Sequence, residues 1–535
     1  MKNNTYSGKI KPEFFSLVTE EFRRYKEHKQ LFDRRIIENN RWFKSRYQNE
    51  QTGEMTTPTT PYLFNAIANK HADAMDNYPA PNVLERDEED RELAETFTQI
   101  LPIQLDLCNF RKTYNRAWWY KLKNGAACYG VFFNPKMRGG LGEIDIRKID
   151  LLNLFWEPGI TDIQDSRFVF LTALTDIEEL KEKYPHLELS NSSSPLELQT
   201  YDDMQNTKQN ISNNKVLVID CYYKKQRGNL QTLELIKFCG EQILDASEDR
   251  GEKGVYNHGK YPFVLDVMYP DEDSPVGFGL VDIIKNPQLY IDKLDALISK
   301  NALISGKTRF MIKDNGGLNE YELGDLSKDI IHVAGSVNDE NIRELQAKPL
   351  HSFIIQHRQN KIEELKEIAG NRDFQQGQVS GGVTAYSAIA ALQQAGEKLS
   401  RDMISEGYNA YKEIILLVIE LMRQFYDQPR AYRIDHLSGE REYIRFSNSK
   451  WRTYGKARPV EFDVAVSAEK NNPYNRVAQN QTLTELWKMG VFQPEMAESA
   501  KLLLEGMFLD GKEKILEGIS KLAEQMKNVT AEAEE

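Results

Sequence analysis

No stretch constrains the fold more than Thr384 to Tyr426, which reads TAYSAIAALQQAGEKLSRDMISEGYNAYKEIILLVIELMRQFY. It contains no proline, and apolar residues return every three or four positions through Tyr386, Ile389, Leu392, Leu399, Met403, Tyr411, Ile414, Val418, Leu421 and Phe425. That period predicts one helix. Thr384 follows the Gly381–Gly382 pair as an N-cap and Pro429 supplies the stop. At 1.5 Å per residue the helix would run about 60 Å, far beyond the ordinary globular length. Gly396 and Gly407 are its expected bend points. From Ile414 to Leu421 it is apolar almost all round and must be buried. A helix of this length is a strut inside something large.

The chain around it has 535 residues, enough for two to four domains. Its 40% hydrophobic and 28% charged residues are those of a globular protein. A net charge of −12 argues against tight binding of nucleic acid by phosphate neutralisation, though not against a passage through which nucleic acid slides. Cys108, Cys128, Cys221 and Cys239 form no CxxC pair, and the N-terminus lacks a signal-peptide pattern, so reduced thiols in a cytosolic product are expected. No apolar run is long enough to predict a membrane span.

Taken in order, residues 11–47 read as a charged amphipathic helix, broken by the TTPTTP run at 56–61. A second helix runs to Asn77 and a third, acidic at its start (Glu85 to Glu92), to Leu107. A fourth, carrying Trp118 and Trp119, ends at the Asn124–Gly125 turn. The period then switches to two. Strands are predicted at 126–134, 143–147, 168–174, 215–223, 232–238 and 263–268, with Asp176 capping a short helix and 186–214 a long loop. Residues 1–270 are therefore an α+β domain, helices first and then a mostly antiparallel sheet.

Beyond the acidic turn Asp271–Glu272–Asp273, Asn286 reads as an N-cap with Pro287 at the first helical position of a helix to Leu303. Its Ile284, Ile291, Leu294 and Ile298 are too many to bury against one partner helix, which predicts cover from neighbouring copies. A second helix spans 350–369, and between the two lies a compact insert with strand-like 309–313 and 330–333. Gly370 to Val383 is a loop of Gly, Gln, Asn and Ser that leads into the strut. Strands at 432–437 and 442–446 form a hairpin about Ser438–Gly439, a strand follows at 460–466, and the chain is helical from Pro473 to an acidic end.

This succession resembles the portal proteins of tailed bacteriophages. The resemblance rests on the Trp118–Trp119 helix with its Asn124–Gly125 turn, on Ile149–Asp150, and on Glu157–Pro158–Gly159 leading to Arg167–Phe168–Val169–Phe170. It rests further on Gly277–Phe278–Gly279 before Gln288, Asp292 and Ala296, and on Gly381–Gly382–Val383–Thr384–Ala385 opening the long helix. It implies an α+β, portal-type multidomain subunit. Residues 1–270 would be the wing, 271–304 the first stem helix, 305–350 a small α/β clip and 351–369 the second stem helix. Residues 370–383 would be the tunnel loop, 384–470 the spine helix with returning wing strands, and 471–535 a helical crown.

The same resemblance implies a ring, of twelve subunits in virions, at one capsid vertex, assembled in the bacterial host cytoplasm. Double-stranded DNA would pass through it during packaging and ejection. The terminase large subunit and head-tail adaptor would dock on its clip, with the major capsid and scaffolding proteins around it, and no membrane, cofactor or metal would be involved. Arg372, Gln375, Gln376 and Gln378 would touch DNA from the tunnel loop. Lys285, Lys293 and Lys300, recurring along the first stem helix, are channel-facing candidates against the plainer reading of a solvated face. The clip carries six bases, among them Lys307, Arg309 and Lys313, against eight acids, among them Glu320 and Glu322. That near balance suits protein docking better than a DNA clamp.

Enzyme signatures are weak. Gly306–Lys307–Thr308 imitates the end of a phosphate loop, but Asn301 stands where a glycine is required and a helix, not a strand, precedes it. The cluster Asp271–Glu272–Asp273 reads as solvated charge, His351 and His357 lie six apart, and no GxSxG context surrounds a serine. A structural role is expected. The alternatives are a monomeric nucleic-acid-processing enzyme or another head-tail connector component.

Overall fold

The computed structural model describes residues 10–45, 60–184, 215–228, 230–250, 254–305, 350–370, 398–435, 441–450 and 460–468. Short pieces at 47–48, 55–56, 309–312 and 342–345 and positions 486, 488, 518 and 519 complete it. Contacts divide the chain into two compact units, Met1–Ala74 with Pro81–Val466, and Met75–Ala80 with Ser467–Glu535.

Helix α1 (Pro12–Phe43) begins with proline at its first position and buries Val18, Phe22, Tyr25 and Ile36 along one stripe. After β1 (Tyr47–Gln48) and β2 (Met55–Thr56) comes α2 (Tyr62–Asp76). Next is a strand, β3 (Pro79–Glu85), in the segment read only as a break between helices, and α3 starts at Arg91 rather than at Glu85. Pro79 and Pro81 cannot donate to a helix, and the alternating burial of Pro79, Pro81 and Val83 follows a period of two. Asp87 then accepts from the Glu89 amide, and α3 (Arg91–Leu107) and α4 (Phe110–Asn124) follow.

Beyond them lie β4 (Ala126–Asn134), β5 (Glu143–Ile149), β6 (Leu154–Phe155), β7 (Phe168–Asp176) and α5 (Ile177–Lys183). Asp176 caps α5 as its sequence position requires, accepting from the Glu178 amide at 2.9 Å. Residues 186–214 lie outside the described residues. Then come β8 (Lys215–Arg227), β9 (Leu230–Cys239), β10 (Gln242–Ala246), β11 (Phe263–Val267) and a hairpin of β12 (Tyr269–Asp271) and β13 (Ser274–Phe278), whose tip is the acidic turn.

Two antiparallel sheets carry the N-terminal half of the chain. One has the order β10-β9-β8-β7-β6, the other β11-β4-β5. The apolar stripe of α1 covers the first, with Val18, Phe22 and Tyr25 set among Phe155, Phe170, Ile219 and Ile236. The four cysteines are unpaired, three of them buried.

Helix α6 (Leu280–Ser305) starts six residues before the expected cap, and Pro287 lies inside it. Burial of Val281, Ile284 and Ile291 along one face outweighs the amide that proline lacks. Ile284 and Ile291 are fully covered within the subunit, so they do not call for a neighbour; Leu294 and Ile298 are only half covered. In the insert, β14 (Arg309–Ile312) pairs antiparallel with β15 (Ile342–Leu345), a partner the sequence reading missed; 330–333 lie outside the described residues.

Helix α7 (Ser352–Ile368) returns beside α6. Helix α8 (Lys398–Phe425) is the described part of the strut, 28 residues or about 42 Å; 384–397 lie outside the described residues. Its Ile414, Ile415, Leu417, Val418 and Leu421 are buried, as an all-round apolar segment demands. The helix runs unbroken through Gly407, where a Cβ would come within 2.8 Å of Trp118 Cζ2. That glycine makes room for an indole. Strands β16 (Arg430–Asp435) and β17 (Arg441–Phe446) form the expected hairpin, β18 (Phe462–Ala468) pairs with β3, and nearly all of 471–535 lies outside the described residues.

Candidate functional site

The hairpin of α6 and α7 is rooted where two glycine turns meet. Gly125, at φ +93°, ends α4, and a Cβ there would fall 2.4 Å from the carbonyl carbon of Phe278. Arg35 donates to the Gly277 carbonyl at 2.7 Å, and Asn39 to the Asp282 carboxylate at 3.0 Å. Asp282 in turn accepts from the Gly279 amide at 2.9 Å, an arrangement that fixes where α6 begins.

Among the described residues, the hairpin's buried polar contacts centre on Gln288 and Asp295. Gln288 accepts from the Leu63 amide (3.1 Å) and donates to the Thr60 carbonyl (3.0 Å) and to Asp292 (2.9 Å). Ile291, Ile362 and Leu365 form a small core beneath Tyr62. One turn further out Arg358 donates to both oxygens of Asp295, Nη2 to Oδ2 at 3.0 Å. Such a bidentate ion pair fixes the register of two antiparallel helices. Beyond it Leu297, Leu303, Phe353 and Ile355 are exposed, at 47%, 68%, 68% and 57%.

The strut is clamped to the sheets and helices of the N-terminal half at both ends of its described length. Near its start, Lys121 Nζ lies 2.5 Å from Asp266 and donates to the Met403 carbonyl at 3.2 Å, all three buried. Burial pushes the Asp266 carboxyl up, and the Lys121 ammonium opposes it. At its far end Tyr426 donates to Glu143 at 2.5 Å, and Arg430 sits 3.5 Å over the Tyr426 ring and 3.4 Å from the same carboxylate. Lys70, its amine pushed down by burial, donates to Ser400 Oγ at 2.8 Å and to the Gly370 carbonyl at 3.5 Å.

Of the residues singled out by sequence, Lys285 is half-buried and lies 3.2 Å from Glu38, so it braces α6 against α1. Lys293 and Lys300 are exposed on α6. Arg309 lies on β14. Lys307, Lys313, Glu320, Glu322, Arg372, Gln375, Gln376 and Gln378 fall outside the described residues, as does Gly306–Lys307–Thr308. Trp118 is fully buried against the strut, and Trp119 stacks on His71 at 4.0 Å. Among the described residues no three His, Cys, Asp or Glu side chains come together as metal ligands, and no helix is long and apolar enough to cross a membrane. Sequence reasoning missed Asp295 and Arg358, and of Gln288, which it singled out, it missed the partners Leu63 and Thr60, up to 228 residues away, since such pairings leave no local pattern.

The model of one protein family, described as phage P22-like portal protein, matches residues 33–267 and 278–535. No curated protein matches the chain.

Proposed function

The chain belongs to the P22-like portal protein family, and we propose on that premise that it forms the conduit for double-stranded DNA at one vertex of a phage head. The family is a structural one, a virion part through which DNA is packaged. In our reading twelve copies close into a ring, the wing lies outward, and the hairpin of α6 and α7 carries the clip. The terminase large subunit would dock on the clip while the head fills, and the head-tail adaptor afterwards. Residues 370–383 would reach the bore, where Arg372, Gln375, Gln376 and Gln378 would graze passing phosphates without reading sequence. An overall charge of −12 suits a passage that repels the duplex rather than gripping it.

The observation that carries this reading is the family match over nearly the whole chain. The hairpin supports it: two helices tied by Asp295 and Arg358 rise from a clamped wing and bear the insert at their tip. Deleting residues 306–349 and joining the helices through a short glycine linker tests it. The wing should fold unchanged, because the removed segment is local and its ends belong to neighbouring helices, while DNA packaging is lost. Normal packaging by this variant would contradict the clip's role.

A further inference from the structure

The two flanks of the stem hairpin carry opposite charge. On α6 the exposed row turned away from its buried face is Asn286, Lys293, Leu297 and Lys300, while Tyr290 leans on its own α7, its ring 5.9 Å from that of His357 and 5.8 Å from Lys361 Nζ. None is acidic, and the helix's Asp292 and Asp295 are buried. On α7 the corresponding outward row is Phe353, Gln356, Asn360, Glu363 and Glu367. None is basic; Arg358 is turned inward onto Asp295, and Lys361 and Lys366 lie half-buried beside Glu364 and Glu363 at 2.6 and 3.7 Å.

Opposite flanks of opposite sign have a consequence for association. A two-fold dimer places like surfaces together, so either flank would meet its own charge. Head-to-tail contact places the basic flank of one copy on the acidic flank of the next. Apolar side chains lie within the same rows, Leu297 at 47% exposure and Phe353 at 68%, so the contact would also remove apolar area from water.

We propose that the α6 flank of each copy seats on the α7 flank of its neighbour, with Lys293 facing Glu363 across the contact. This deepens the ring reading and rests on it. The register is set inside the hairpin: Asp295 lies level with Arg358 and Ile291 with Ile362. Lys293 therefore stands level with Asn360, and Glu363 is about 4.5 Å away along the axis, within reach of a lysine side chain. The same slip brings Leu303 towards Phe353. Lys293 and Lys300 then belong to the contact between copies and do not line the bore.

The test uses the full chain and three variants, K293E, E363K and the double reversal K293E/E363K, with ring fraction measured by mass photometry across protein and salt concentrations. Each single reversal should raise the half-assembly concentration about tenfold, and the double reversal should restore it. Added salt should weaken the unmodified ring and the double reversal alike. Thermal melts show whether the surface changes leave the subunit folded. Single reversals that assemble like the unmodified chain, or a double reversal that stays impaired, overturn the pairing while the ring reading stands. Failure of the unmodified chain to form any ring overturns the ring reading itself.

Discussion

Gly125 and Gly279 touch backbone to backbone: a Cβ on Gly279 would lie 2.7 Å from the Gly125 nitrogen. They are 154 positions apart (279 − 125), in two of the motifs that carry the family resemblance. One ends α4 and the other opens α6, so the contact joins the two helices with no room for a side chain. Gly279→Ala should cost about 2–4 kcal/mol, because the obstructing atoms are backbone and have nowhere to move. Urea unfolding checks this, and an unchanged midpoint would mean that the junction relaxes freely.

The Lys121–Asp266 pair is fully buried beneath the strut. Lys121→Met leaves a buried carboxylate unpaired and should destabilise the subunit by about 3–5 kcal/mol. The combined change Lys121→Met with Asp266→Leu removes both charges and should cost clearly less. Equal losses for the single and the double variant would show that packing, not charge, sets the cost.

His258 gives the fold an acid-sensitive component. Burial, aided by Lys260, pushes its imidazole down to about 4, and its Nε2 meets no hydrogen-bond partner among the described residues. In the unfolded chain the group titrates near its ordinary value, about 6.5. The folded state therefore binds fewer protons between these values, and stability rises with pH there. The contribution is fully present above about pH 6.5 and lost as pH falls towards 4, on the order of 3 kcal/mol. Melting the unmodified chain and His258→Gln from pH 4 to 7.5 measures it; the variant should show a flatter acid limb.

Periodic features were legible in the sequence and pairings across long separations were not. The strands at 126–134 and 168–174, the cap at Asp176 and the buried run from Ile414 to Leu421 follow from local period and composition, and the structure carries all of them. The start of α6 was misplaced because Asn286–Pro287 makes a good local cap, whereas the burial of Val281 and Ile284 is decided by distant parts of the chain. Gly407 suggested a bend since nothing local says that Trp118 lies against it. Lys285 read as a free cation until Glu38, 247 positions earlier, came beside it. In the stem the lysine spacing was visible, but only the paired register of α6 and α7 shows that the two flanks differ in sign.

The central claim is that this chain works as a closed ring around a passage. Electron micrographs of the purified protein, averaged along the particle axis, test it most directly. End-on views should show a ring with a central opening wide enough for duplex DNA, and side views a narrow stalk below a broader body. Particles of single-subunit size at every protein concentration, with no ring in any salt condition, would contradict it.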